Sequence, residues 1–273
     1  MSGTLYVVAT PIGNLEDISA RAIRILGEVD LIACEDTRHT RTLLDRYGIQ
    51  KPLISYHEHN EPARAKELLG DLQAGKNIAL VSDAGTPMIA DPGYRLVDQA
   101  REQGLSVTPI PGPSALLASL SASGLATDSF LFHGFLPAKK GQRRKLLEEL
   151  KTLQATLVFF EAPHRILETL EDVAETLGPR QVVLARELTK IHEEFLRGTP
   201  ADLRSVLEQR PAIKGEITMI VGRGGAAQVD DTPMGEAVQR LIESGVARMD
   251  ALKTVARQRG LSKREVYKKL NER

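Results

Sequence analysis

The 273-residue sequence predicts an α/β fold with mostly parallel, covered sheets and a helical C-terminal segment. Three observations carry this. Short apolar runs alternate with segments of helical spacing. The runs are apolar throughout rather than alternating, as strands buried on both faces are. Polar, Gly/Pro-containing loops recur at the ends of the runs, where open α/β sheets bind ligands.

The elements follow in order. Leu5–Thr10 reads as a strand ending in Pro11-Ile12-Gly13-Asn14, then helical spacing at Ile18, Ala22, Ile25 and Leu26. Asp30–Cys34 is a second strand, ending in Glu35-Asp36-Thr37-Arg38. Glu61–Ala74 is helical and stops at Gly75; Asn77–Val81 is a strand ending in Ser82-Asp83-Ala84-Gly85-Thr86-Pro87. Tyr94–Gln103 is helical, and Ser106–Ile110 is a strand ending in Pro111-Gly112-Pro113-Ser114. A second series opens with strand Ser129–Phe135, the basic run Lys139–Lys145 and a helix to about Leu153. Ala155–Phe160 is a strand leading into Glu161-Ala162-Pro163-His164-Arg165, and Leu167–Leu177 is helical. Gln181–Ala185, Glu194–Leu196 and Glu216–Val221 read as strands, Gly222–Pro233 as a linker, and the rest as three short helices. The expected division is residues 1–120, 121–225 and 226–273.

Composition narrows the class. One cysteine excludes a disulfide framework and a Cys-type zinc site, and fits a reducing, cytoplasmic setting. Cys34 lies in an apolar run, as a small buried residue does. No apolar run approaches the ~20 residues of a membrane helix, and the N-terminus has no signal-peptide pattern. The zero net charge hides an asymmetry: nine basic against three acidic residues make Val246–Arg273 +6, and the preceding chain −6. Such a tail points to a polyanionic partner.

Some motifs match by letter only. Gly70–Lys76 spells GxxxxGK, but a helix precedes it, a strand follows it, and Asn77 replaces the hydroxyl that binds magnesium. Gly222–Ala227 spells GxGxxA without a following helix to hold a pyrophosphate. His57-Glu58-His59 lacks a third metal ligand, so no metal is expected.

The strand-end loops, each an ordinary turn when taken singly, form a set together. TPIGNLEDIS, EDTRHT, SDAGTPMIADPG, PIPGPSA, FHGFLP, FFEAPHRI and GEITMIVG occur in this order between Thr4 and Gly222. In this set the chain resembles the tetrapyrrole-methylase-type (class III) S-adenosylmethionine methyltransferases, and within them the branch that methylates a ribose 2′-hydroxyl of a decoding-centre cytidine in 16S ribosomal RNA. The resemblance implies two α/β domains with S-adenosylmethionine in the cleft between them, and a homodimer; the short helices after them read as a small all-helical C-terminal domain. By matching motif it places Pro11, Asp83, Ala84, Gly85, Met88, Ser114 and Ala115 beside the cofactor, Glu161 near its methyl group, and Ala185, Glu216 and Ile217 on its adenine side.

The chemistry needs alignment of donor and oxygen, and removal of the hydroxyl's proton. Glu35, Glu161, His164 and Glu187 are candidate bases; Arg38, Arg165 and Lys190 are candidates to stabilise an alkoxide or hold a phosphate. Glu161, His164 and Arg165 are expected to flank the reacting hydroxyl. Glu187 and Lys190, three apart, also fit a pair on a helix. For RNA, the expected contacts are Arg38, then Lys139, Lys140, Arg143, Arg144 and Lys145, and then Lys263, Arg264, Lys268 and Lys269 on a helix-turn-helix-like tail. An aromatic content of 4% without tryptophan suits recognition of an assembled small ribosomal subunit by charge and shape better than base stacking. Two alternatives stay open: a small-molecule (tetrapyrrole) methyltransferase, and a non-enzymatic RNA-binding or ribosome-assembly factor.

Overall fold

The computed structural model describes residues 1–224, 234–243 and 247–258. The chain runs β1 (Thr4–Val8), α1 (Ala20–Glu28), β2 (Leu31–Cys34), α2 (Thr37–Arg46), β3 (Leu53–Ser55), α3 (Glu61–Gln73), β4 (Ile78–Val81), α4 (Tyr94–Glu102), β5 (Ser106–Ile110) and α5 (Ala115–Ser123). A second series follows: β6 (Phe130–Phe135), α6 (Lys140–Leu150), β7 (Thr156–Glu161), α7 (Ile166–Leu177), β8 (Val182–Arg186), β9 (Glu194–Gly198), α8 (Pro200–Glu208) and β10 (Ile217–Val221). Helices α9 (Met234–Glu243) and α10 (Arg248–Gln258) complete the described part.

The first sheet has the order β3-β2-β4-β1-β5, and every pairing in it is parallel. All four residues of β4 are buried, which explains its unbroken apolar run. Alternate residues supply two cores. Ile32, Cys34 and Val81 pack with Ile25 and Leu26 of α1 and Leu43 and Leu44 of α2. Ala33, Ile78 and Leu80 pack with Leu68 and Leu72 of α3 and Leu96 of α4.

The second sheet, order β6-β7-β10-β8-β9, is mixed: only β6 and β7 pair in parallel. This corrects the mostly parallel expectation for the second half. Strands β8 and β9 are joined by a short turn, too short for the crossover a parallel pair needs. Their neighbour β10 runs against both β7 and β8. One face of the sheet packs on α6, α7 and α8; Leu120 of α5 packs on the other, against Val158, Val183 and Ile220.

Three elements escape the sequence reading. Strand β3 has three residues. Helix α2 buries only Thr40, Leu43 and Leu44, and begins inside the stretch read as loop, with Asp36 as its N-cap. Helix α8 starts with a capping box between Thr199 and Asp202. Helices α9 and α10 pack through Val238, Ala251, Leu252, Val255 and Ala256. The third expected helix, with Lys263, Arg264, Lys268 and Lys269, lies outside the described residues. Among the described residues, no helix is long and apolar enough to cross a membrane.

Candidate active site

The loops that follow the parallel strands are tied together. The backbones of Thr10 and Gly85 exchange hydrogen bonds of 2.8 and 3.0 Å, joining the loops after β1 and β4. The Asp36 N–H donates to Asp83 Oδ1 at 2.9 Å, joining the loops after β2 and β4. Gly85 has φ +81°, a conformation that favours glycine at this crossing. Ser114 caps α5 by accepting from the Leu117 N–H.

The second sheet presents a matching edge. Ile217, at the start of β10, lies opposite Glu161 at the end of β7 and Arg186 at the end of β8. The ends of β7 and β8 and the start of β10 are therefore level. Between this edge and the loops of the first sheet lies a cavity of about 360 Å³. Ala84, Gly85, Ser114 and Ala115 line it from one side; Glu161, Ala185, Glu216 and Ile217 line it from the other. Its walls are largely apolar, with Asp91, Glu161 and Glu216 as carboxylates. Such a lining suits a small organic ligand that carries positive charge.

A second cavity of about 290 Å³ adjoins it and shares Ile12, Ala84 and Glu216. Pro11 and Asp83 line this one, not the first. Met88 lines neither; its backbone is left-handed (φ +70°) and its side chain lies against Gly93.

The model Tetrapyrrole (Corrin/Porphyrin) Methylases matches residues 4–204. A ribosomal RNA small subunit methyltransferase I of Halalkalibacterium halodurans is 51% identical over 97% of this chain and 93% of its own. One from Mesorhizobium japonicum is 49% identical over 98% of this chain and 91% of its own. The chain belongs to the ribosomal RNA small subunit methyltransferase I family, within the tetrapyrrole methylases. The fold agrees with a uroporphyrin-III C-methyl transferase from Thermus thermophilus complexed with S-adenosyl homocysteine. That structure is 19% identical, with a TM-score of 0.56 over 81% of this chain and 98% of its own.

In this methyltransferase, Glu161 is 2% exposed. Its carboxylate accepts from Thr169 Oγ1 at 2.6 Å and from the Ala162 N–H at 2.8 Å, and lies 3.3 Å from Arg165 Nε. Arg165 also donates to the Leu136 carbonyl at 2.8 Å. Glu161 and Arg165 thus brace the loop that begins at Ala162. His164 is exposed and lines neither cavity, so the expected trio around one hydroxyl is not assembled.

A different carboxylate is brought in. Asp91 lines the first cavity; burial pushes its pKa up to about 6, and the charges of Glu35 and Asp83 act in the same direction. Burial, then Asp83, pushes Glu35 up as well. Asp91 lies in the SDAGTPMIADPG stretch, but its approach to Glu35 follows from β2 and β4 being neighbours, which sequence does not display. Among the described residues, no group of three or more His, Cys, Asp or Glu is placed to hold a metal ion.

Glu187 and Lys190 do pair, at 2.9 Å, but in the turn between β8 and β9 rather than on a helix. Lys190 Nζ also lies 3.1 Å from Glu216 Oε2. The Lys190 bond, then the Glu216 N–H, holds Glu187 below the usual carboxylate range. Burial opposes the charge on Lys190, yet the bonds to Glu187 and Glu216 outweigh it and raise its pKa.

The basic run needs correction. It is the first part of α6, and Arg143 is completely buried, with Nε 2.6 Å from Asp172 Oδ2. Arg144 Nε donates to Asp172 Oδ1 at 2.6 Å, and its guanidinium also meets Glu175. These two arginines pin α6 to α7; Arg143 is closed to RNA, against the expectation, while Arg144 stays partly exposed. Lys139, Lys140 and Lys145 are exposed, with Lys140 Nζ 3.9 Å from Asp172. Arg38 is exposed and pairs with Asp36 at 2.8 Å.

Proposed function

We propose that this protein transfers a methyl group from S-adenosylmethionine to the ribose 2′-hydroxyl of a cytidine in the decoding centre of 16S ribosomal RNA. It acts on the assembled small subunit, as a homodimer, in the cytoplasm. The division into residues 1–120, 121–225 and 226–273 belongs to this reading, supported by the change of sheet between Ile110 and Phe130. The observation that carries the function is near-full-length similarity to proteins named for that RNA, in a chain whose two sheets meet at a ligand-sized cavity.

The residues fit the cofactor. Ala84, Gly85, Ala115 and Ala185 leave space in the first cavity, and Asp91 and Glu161 set negative charge in its wall. When bound, S-adenosylmethionine supplies an activated methyl group on a sulfonium. Ser114 holds the start of α5 in place, and Ile217 closes the opposite wall. Glu161 positions the loop Ala162–Arg165. Asp91, in the wall of the first cavity and ionised above about pH 6, is our candidate to accept the hydroxyl proton.

The test uses donor labelled on its methyl group, with unmethylated small subunits and free ribosomal RNA. A 2′-O-methyl removes the hydroxyl that attacks the adjacent phosphodiester in alkali. Label is expected in an alkali-resistant dinucleotide, more from subunits than from free RNA. Label released in mononucleotides overturns the ribose assignment. Absence of label from either RNA, with the donor bound, overturns the RNA substrate.

A further inference from the structure

The acceptor must lie against the donor, with reacting atoms about 3 Å apart. The second cavity meets this requirement through its shared wall of Ile12, Ala84 and Glu216. It opens in turn onto a broad depression with which it shares Gly13, Leu15 and Lys190. That depression carries Arg46, Lys190 and His192, with Glu16 and Glu187 as its carboxylates. Glu187 is already bound to Lys190. Arg46, in the last turn of α2, has no carboxylate partner among the described residues.

We infer that the RNA backbone crosses the depression between Arg46 and the turn Lys190–His192, and that one nucleotide turns inward into the second cavity. This rests on the RNA methyltransferase reading above.

Three further observations support it. The second cavity counts His39, Asp83 and Lys190 among its lining residues, polar groups fit for a sugar and a base edge. Glu187 and Thr189 hold left-handed backbones (φ +52° and +64°) without being glycine, a strain that gathers at functional loops. The turn is also fixed against the first half. The Asn14 N–H donates to Thr189 Oγ1 at 3.0 Å, and a Cβ on Gly13 would come within 2.5 Å of Lys190 Cγ. The path is thus built from both halves and exists only when they are docked. A phosphate beside Arg46 would meet a cation unpaired among the described residues, whereas Lys190 is already held by Glu187 and Glu216.

Two variants test this in the full chain. Arg46 and Thr42 are exposed on α2, and neither lines the first cavity. Arg46→Ala is expected to weaken small-subunit binding, with kcat preserved and KM raised. The slope of log affinity against log salt should fall by about one. Thr42→Trp sets an indole at the second cavity, which Thr42 lines. It is expected to reduce methyl transfer about 100-fold, as misplaced acceptors do. Both should bind S-adenosylhomocysteine as wild type does, by calorimetry. Wild-type transfer and wild-type subunit binding in both variants would overturn the path. Should the unaltered protein itself leave ribosomal RNA unlabelled, the RNA methyltransferase reading fails first, which the wild-type arm shows independently.

Discussion

The two halves each contribute a five-stranded sheet, yet they use charge in opposite ways. In the first half, three carboxylates crowd together. Glu35, Asp83 and Asp91 sit at neighbouring strand ends, and Glu35 and Asp91 are pushed up toward the protonated form. In the second half, buried charge is neutralised. Arg143 and Arg144 share Asp172, and Glu161 holds Thr169 and Arg165. Frustrated charge is characteristic of catalysis, whereas satisfied charge is characteristic of scaffolding. The parallel sheet places its strand-end loops on one edge, while the mixed sheet offers a flat, braced wall. On this view the first half acts and the second half holds.

The strongest way to break the comparison is to unpair the second half. Asp172→Ala leaves the buried Arg143 with only a 3.5 Å carboxylate contact, to Glu168, a loss of up to about 3–5 kcal/mol. Chemical denaturation should show a lower midpoint, while cofactor affinity of the folded fraction stays unchanged. A midpoint within error of wild type would mean that the pair is not structural.

The first half should respond in the reverse sense. Asp91→Asn is expected to reduce methyl transfer by about 10²-fold or more, as loss of a general base does. In wild type, activity should rise as Asp91 loses its proton near pH 6 and then level off. Stability moves the other way. The folded pKa of about 6 exceeds the ordinary 3.8, so the folded state holds this proton more tightly. Stability is greatest below about pH 4, declines between about 4 and 6, and stays lower above. Asp91→Asn should remove that decline and stabilise the protein at neutral pH by about 1 kcal/mol, allowing for the group's partial exposure. A variant that is both slow and more stable is the signature of a functional charge.

These contrasts were unevenly legible in the sequence. The parallel strands of the first half, and the loops around Pro11, Asp83 and Ser114, follow from apolar runs that end in Gly/Pro-rich turns. Those rules are local. The directions of β8, β9 and β10 are not, and so the juxtaposition of Glu161 with Ile217 needed the fold. The burial of Arg143 was readable in principle. Arg143, Leu147 and Leu150 share one helical face, at spacings of four and three. Asp172 sits likewise among Thr169, Val173 and Thr176 on the buried face of α7. Charge counting along the run hid this, because a run of lysines and arginines looks solvated until its period is taken. The start of α8 was equally available, as Thr199-Pro200-Ala201-Asp202 is a capping box with proline in the first turn.

A smaller effect separates His164 from the loop that carries it. His164 is exposed and Glu161 is not, although three positions separate them. His164→Ala should therefore leave kcat within about twofold of wild type, a surface change within ±0.5 kcal/mol. Glu161→Ala should lower both stability and kcat, since it takes from Arg165 its carboxylate and from Thr169 its acceptor. Equal losses in the two variants would return His164 to the reaction.

The smallest expected effect is the most informative about RNA. Lys139 and Lys145 are the exposed members of the basic run that stand apart from Asp172. If the run binds phosphate, Lys139→Ala with Lys145→Ala should lower the salt slope by about two, one for each lost contact. If the RNA crosses between Arg46 and Lys190 instead, the double variant should keep the wild-type slope while Arg46→Ala alone loses about one. Both variants remove only exposed cations, so their stability should match. The difference between the two slopes then reports where phosphates lie, independently of folding and of cofactor binding. A larger loss in the lysine pair than in Arg46→Ala would move the nucleic acid onto the second half, and the division between an acting and a holding half would no longer stand.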